Sequence, residues 1–243
     1  MPDVSPCLLS LDTATETLHL GLVRAGREWV QALPGGAQAS ETLMPGLQAL
    51  LAEAGCPLSD LQAIAFGRGP GAFTGLRTAC ALAQGLALGL GLPVIPIDTL
   101  LAVAESARRS GAGATVCAAQ DARMGQIYAA VYRQAADGAW STLSEPALLH
   151  PPALIAALQA WPEAELAGNA LEVHAPALAA LDHRRWPQAQ PDGAALLALA
   201  RRAWAAGEGI DPALALPLYV RDKVAETTAE RAAAQARVLQ GAR

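Results

Sequence analysis

The run GRGPGAFTGLRTACALAQGLA, Gly67–Ala87, carries a glycine-rich loop straight into a helical pattern with almost no charge. LQAIAFG (Leu61–Gly67) before it reads as a buried strand, and Val94–Ile97 after it as another. A further helix is expected from Thr99 to Arg109. Between Ala79 and Ile97 there is no charged residue, which approaches the length of a membrane span. Gly85, Gly89 and Gly91 interrupt that run, and Pro93 and Pro96 follow. A helix ending near Leu90 and then a buried strand account for it better than a span.

Working outward, CLLSLDTATETLHLGLVRAGREWVQAL (Cys7–Leu33) reads as a three-stranded antiparallel meander with a tight Ala25-Gly26 turn. Ser40 is expected to cap a helix that Gly55 and Pro57 stop. A meander followed by β-α-β-α makes an α/β lobe with a mixed sheet. After a polar, glycine-containing break at 110–114 the pattern partly restarts: ATVCAAQDARMGQIYAAVYRQ gives strand, turn at Asp121–Gly125, strand. Short helices are expected at Ala153–Ala160 and Gly193–Ala206. Pro146, Pro151 and Pro152 break the stretch after the second strand of that pair, and the alanine- and proline-rich region from about Pro162 to Pro191 gives little pattern. The resulting division is a first lobe over 1–109, a second over 110–206, and a segment 207–243 that packs back on the lobes with a frayed end.

The loop fits no complete phosphate motif. A P-loop needs G-x-x-x-x-G-K-[ST]; Gly71 and Gly75 are one residue too close, and Leu76-Arg77 stand where Lys and Ser or Thr belong. Gly69, Gly71 and Gly75 give G-x-G-x-x-x-G rather than the dinucleotide fingerprint, and Pro70 removes an amide donor. Two readings stay open: an anion site at a helix N-terminus assisted by Arg68 or Arg77, and a tight turn whose glycines let the helix approach the sheet.

The helix itself is apolar nearly all round. Leu76, Ala79, Cys80, Ala83, Leu86, Ala87 and Leu90 form one stripe; Ala81, Leu82, Gly85 and Leu88, with Arg77, Thr78 and Gln84, form the opposite face. Such a helix is buried on most sides. The sheet covers one side, and Leu43, Met44, Leu47, Leu50 and Leu51 of the preceding helix cover part of the rest. The remainder suits contact with another chain; burial by the second lobe is the alternative.

Bulk composition excludes several classes. With 53% hydrophobic and 16% charged residues over 243 positions, the chain folds around a real core. A net charge of −5 with scattered Arg gives no basic surface for gripping nucleic acid unaided. Cys7, Cys56, Cys80 and Cys117 form no C-x-x-C, and no signal peptide is visible, so the cytoplasm is expected. His19, His150, His174 and His183 show no i, i+3 or i, i+4 pair, so no metal set is expected. Ser10 and Ser40 lack a nucleophile-elbow context. Asp12 ends the first strand, where it either holds a metal or water or stabilises the turn. Asp121 and Arg123 read as an internal ion pair.

Taken together, LLSLDTATETLHLGLV, GRGPGAFTGLRTACALAQGLA, AAQDARMGQIYAAVY and LPLYVRDKVAET resemble the bacterial TsaB family, also called YeaZ. The string from Gly69 to Arg77 is its most specific element. The resemblance implies a two-lobed actin-like ATPase (ASKHA) fold, α/β, each lobe a mixed sheet with flanking helices. It implies a subunit without its own activity, in a complex moving threonylcarbamoyl to N6 of adenosine 37 in tRNAs that read codons beginning with A. The partners implied are TsaD as heterodimer and TsaE in a larger complex, with tRNA reached indirectly and a homodimer in isolation. No cofactor is required, though weak ATP or ADP binding is compatible, with Asp12, Gly69, Gly71, Thr74 and Arg77 as a vestigial nucleotide or anion loop. The family's dimer surface lies on first-lobe helices, here Ser40–Ala54 and Gly75–Leu90; the interface residues expected are Leu43, Met44, Leu47, Leu51, Leu76, Ala79, Cys80, Ala83 and Ala87. Ala83→Glu is expected to leave the monomer folded and abolish TsaD binding. An M22-type metallopeptidase and a weak ATP-binding enzyme of the same superfamily are the alternatives. Many relatives carry His at the start of the first helix; Ala39 stands here, so no role of that His carries over.

Overall fold

The computed structural model describes residues 5–221. The strands β1 (Leu8–Asp12), β2 (Thr17–Arg24) and β3 (Arg27–Pro34) form the meander; α1 (Ala39–Glu53), β4 (Ala63–Gly69), α2 (Phe73–Leu90), β5 (Val94–Asp98) and α3 (Thr99–Arg109) follow. The sheet runs β3-β2-β1-β4-β5, with β1/β2 and β2/β3 antiparallel and β1/β4 and β4/β5 parallel. β6 (Thr115–Asp121), β7 (Ile127–Gln134), β8 (Trp140–Leu149), β9 (Glu165–Ala167) and β10 (Arg185–Trp186) build a second sheet in the order β8-β7-β6-β9-β10. The pairing sequence is the same: two antiparallel pairs, then two parallel. The repeated order gives the two expected lobes, each a mixed sheet with flanking helices, and it explains why the sequence pattern restarts after residue 114.

The helices α4 (Pro151–Leu158) and α5 (Ala170–Val173) belong to the second half, and α6 (Gly193–Ala205) follows it. α6 returns to the first sheet: Leu196, Leu197 and Ala200 pack with Leu8, Val23, Ala65 and Ile95. The opposite face of that sheet, with Leu9, Leu11, Leu20 and Phe66, is covered by α1 and α2. Residues 207–221 run back over the first half, where Val94 and Ile210 exchange backbone hydrogen bonds.

Local chemistry explains most boundaries. α2 ends where Gly91 turns left-handed at φ 68°. α1 is not capped by Ser40; it begins at Ala39, after Gln38, with no side-chain cap. The Thr42 hydroxyl instead donates to the Pro34 and Gln38 carbonyls, and the helix runs on through Pro45. β8 passes through Pro146, which its edge position tolerates. Among the described residues no helix is long and apolar enough to cross a membrane.

Candidate functional site

The glycine loop stands on the turn that ends β1. Asp12 is fully buried there; its carboxylate accepts from the Ala14 amide (2.7 Å) and the Thr99 hydroxyl (2.7 Å). Thr99 Oγ1 in turn accepts from the Gly69 amide at 3.2 Å. Burial pushes the Asp12 carboxyl up to about 6, against the pull of those two hydrogen bonds. Both oxygens are thus engaged in holding the turn.

The glycines answer to contact with that turn. A Cβ at Gly75 would overlap the Thr13 carbonyl oxygen, and one at Gly71 would meet the Ala14 side chain. Thr13 Oγ1 donates to the Gly75 carbonyl at 2.6 Å, and the Ala72 amide donates to Ala14 O at 2.9 Å. The space the glycines open is therefore filled by the chain itself, which supports the tight-turn reading. Gly71 is half-buried in this contact and Gly69 is buried against Leu76 and the Leu218 carbonyl, while Thr74 and Arg77 lie exposed at the first turns of α2.

Arg77 serves the C-terminal segment. Its guanidinium lies 3.8 Å from the centre of the Phe73 ring, and its Nε donates to the Tyr219 hydroxyl at 3.1 Å. The Phe73 and Tyr219 rings pack at 5.3 Å. On one side the Leu218 amide donates to Arg68 O (2.7 Å), while Arg68 pairs with Asp98. On the other, Arg221 donates to Ala122 O (2.8 Å) in the β6–β7 turn. The segment Leu218–Arg221 is a strap joining the two halves. The segment belongs to the stretch LPLYVRDKVAET, which resembles a closing motif of the family and whose part from residue 222 lies outside the described residues. The sequence assigns none of these contacts, because no local pattern links residues so far apart.

Between loop, strap and β6–β7 turn lies a cleft of about 400 Å³. Arg123 bridges its mouth, donating to Glu16 (2.7 Å) in the first half and lying 3.6 Å from Asp121. The predicted Asp121–Arg123 pair is present, and Asp121 also meets His174 Nε2 at 3.0 Å. Arg123 and Met124 both adopt left-handed backbone, at φ 62° and 55°, held by the Arg123 amide bond to Asp121 Oδ1. The side chains of Gln120, Tyr128 and Asn169 line the cleft wall. Among the described residues no three His, Cys, Asp or Glu side chains gather as a metal site. His19 is buried on β2 with its ring Nε2 unpartnered, and burial lowers its pKa.

The expected interface residues need correction. Leu43, Leu47, Leu51, Leu76, Ala79, Cys80, Ala83 and Ala87 are all buried against their own sheet; Met44 alone is exposed, at 43%. The stripe chosen from sequence is the inner one: its small residues Ala79, Cys80, Ala83 and Ala87 let α2 lie close on the cluster that holds Leu9, Leu20 and Phe66. The opposite face is the open one: Ala81, Gly85, Leu88 and Gly89 are exposed, and Leu82 half-buried. A Cβ at Gly85 or Gly89 would meet nothing. Ala83→Glu therefore tests the core rather than an interface.

Comparison with known proteins follows the same lines. The family model described as "TsaD: tRNA N6-adenosine threonylcarbamoyltransferase" matches residues 34–182. The chain is 39% identical over 144 residues to the tRNA threonylcarbamoyladenosine biosynthesis protein TsaB of Escherichia coli, covering 59% of this chain and 62% of that one. It is 44% identical over 124 residues to the protein of the same name from Haemophilus influenzae, covering 50% and 51%. The match thus spans between half and two thirds of these relatives' length. The solved structure of YeaZ from Pseudomonas aeruginosa superposes with a TM-score of 0.77 at 35% identity, over 88% of this chain and 99% of that one. On sequence and structure alike, the chain belongs to the TsaB/YeaZ family.

Proposed function

We propose that this chain is a non-catalytic subunit in the cytoplasmic complex that transfers threonylcarbamoyl to N6 of adenosine 37 in tRNAs reading codons that begin with A. It binds and supports the catalytic subunit TsaD, and TsaE joins the larger complex. The observation that carries the partner-binding part is the outer face of α2. Ala81, Gly85, Leu88 and Gly89 stand exposed on it, with Met44 exposed on α1. Small residues let a second helix approach closely, and an exposed apolar helix face is a liability that a partner removes. In isolation the same face pairs with a second copy, because a helix face of this kind is self-complementary under two-fold symmetry.

Direct nucleic-acid binding is not part of the proposal: net charge is −5, so a partner supplies the phosphate contacts. No cofactor is required. Any ATP or ADP binding is weak, since the glycine loop is packed on the Asp12–Ala14 turn and Pro70 offers no amide.

Reconstitution tests the reading. tRNA modification is measured with TsaD and TsaE, adding or omitting this chain, and a fall to background on omission is expected. Full modification without it overturns the subunit role. Modification by this chain alone overturns its non-catalytic character. Calorimetry with ATP and magnesium checks the nucleotide part, where micromolar affinity with turnover contradicts it.

A further inference from the structure

Cys7 and Cys56 lie 49 residues apart in sequence, yet their sulfurs are 3.6 Å apart. Both are buried, at 8% and 5% exposure. Their backbones are pinned. The Cys7 amide donates to Gln62 Oε1 (2.9 Å), and its carbonyl accepts from the Gln62 amide (2.9 Å). Cys56 follows Gly55, which is left-handed at φ 57°, and the Cys56 amide donates to Leu51 O at 2.9 Å, closing α1. Backbone hydrogen bonds at both ends thus hold the sulfurs in contact.

The pair is also reachable from one side. Cys7 lines a surface cleft with Arg24, Asp60 and Gln62. Arg24 spans that cleft, donating to Gly55 O (2.8 Å) and to Asp60 (2.6 Å). Cys80 and Cys117, buried and free like the other two, differ in having no sulfur neighbour among the described residues.

We propose that Cys7 and Cys56 are a modification site: an oxidisable thiol pair that a hydroperoxide converts to an intramolecular disulfide tying β1 to the end of α1. The Cys7 thiolate attacks a peroxide oxygen, the O–O bond breaks, and the leaving hydroxide takes up a proton to become water. The Cys56 sulfur then attacks the Cys7 sulfenic acid. The S–S bond forms, and hydroxide leaves with the Cys56 proton as a second water. Two thiols and one hydrogen peroxide give one disulfide and two waters. Cys7 is the first nucleophile because it faces the cleft; Cys56, behind it, resolves the intermediate. The sulfurs must close from 3.6 Å to about 2.05 Å, a movement that a helix terminus accommodates. Burial and the neighbouring Cys56 push the Cys7 thiol up to about 12, opposed by the Arg24 charge. Oxidation is therefore slow at neutral pH and accelerates in base.

The test uses the full chain, treated with hydrogen peroxide and analysed without reductant. The expected result is loss of two of the four free thiols, a mass lower by about 2 Da, and a cross-linked peptide pair containing residues 7 and 56. The rate rises with pH. Cys7→Ser and Cys56→Ser each abolish the mass loss, while Cys80→Ser retains it; circular dichroism establishes that each variant is folded. Survival of all four thiols, a bond involving Cys80 or Cys117, or only intermolecular cross-links overturns the proposal. None of these readouts involves a partner protein, so they stand apart from the subunit reading.

Discussion

Arg77 and Tyr219, 142 positions apart in the chain, are joined by a 3.1 Å hydrogen bond over the face of Phe73. The most specific motif of the sequence thereby holds the strap that crosses between the two halves. Because Tyr219 is 47% exposed, its contacts contribute modestly. Tyr219→Phe keeps the ring packing and loses one hydrogen bond, costing about 0.5–1.5 kcal/mol. Tyr219→Ala also loses the Phe73 contact and costs more. Urea unfolding ranks the two, and limited proteolysis after Leu218 is expected to quicken in the same order.

The two sides of α2 make opposite predictions for one kind of substitution. Ala83 is wholly buried under the first sheet's core cluster, so Ala83→Glu places an unpaired charge there and costs on the order of 3–5 kcal/mol. Gly85 is exposed with open space around its Cα. Gly85→Glu is expected to fold at least as well as the parent, since glycine is a poor helix residue, by about 1 kcal/mol. It is expected to lose capture of TsaD. Size-exclusion with light scattering and TsaD pull-down separate the cases, and undiminished capture by folded Gly85→Glu contradicts the proposed face.

That contrast marks where sequence stopped being informative. The meander was legible because β-forming runs are separated by a tight Ala25-Gly26 turn, with Leu18, Leu20 and Leu22 on one face of a strand that is buried on both, and β4–α2–β5 because apolar runs are cut by glycine and proline. The side of α2 turned inward was not legible: Leu, Ala and Cys lie on one face, Ala, Gly and Leu on the other. Only its packing over Leu9 and Phe66 decides between them. β8 was missed because Pro146 suppresses a strand reading, although an edge strand accepts it. The strap contacts and the Cys7–Cys56 approach join residues far apart in the chain, and no local periodicity encodes such pairs.

Asp12 makes stability depend on pH in an unusual direction for a carboxylate. Burial raises its folded value from 3.8 to about 6, so the folded state holds the proton more tightly than the unfolded chain. Its contribution is fully present below about pH 4 and is lost as pH rises through about 6. The displacement is worth about 3 kcal/mol at most. Asp12→Asn keeps an acceptor for the Ala14 amide and removes the titration. The stability of the parent relative to Asp12→Asn is therefore expected to fall as pH rises across that window. Urea midpoints for both chains at several pH values check the sign, and parallel curves contradict it.

Glu105 supplies the strongest test of how the two halves are held together. It lies on α3, is 2% exposed, and its Oε2 accepts from Trp140 Nε1 (2.8 Å), Arg202 (2.9 Å) and Gln134 (3.2 Å). Those partners come from β8, α6 and β7, so a single carboxylate joins the second sheet to the helix that covers the first. One residue on, Ser106 donates to Asp192 (2.6 Å), which also accepts from the Ala195 amide to cap α6. Glu105→Leu fills the volume but leaves an indole N–H and an amide without an acceptor, and is expected to cost about 3–5 kcal/mol. Arg202→Leu is expected to cost less, because Arg202 is 41% exposed and Trp140 and Gln134 still neighbour the carboxylate. A double-mutant cycle over Glu105 and Arg202, read by urea unfolding, measures their coupling. A coupling near zero would show that the buried carboxylate is held by its neutral donors rather than by the guanidinium, and that α6 is fixed by its apolar face and the Asp192 contacts alone.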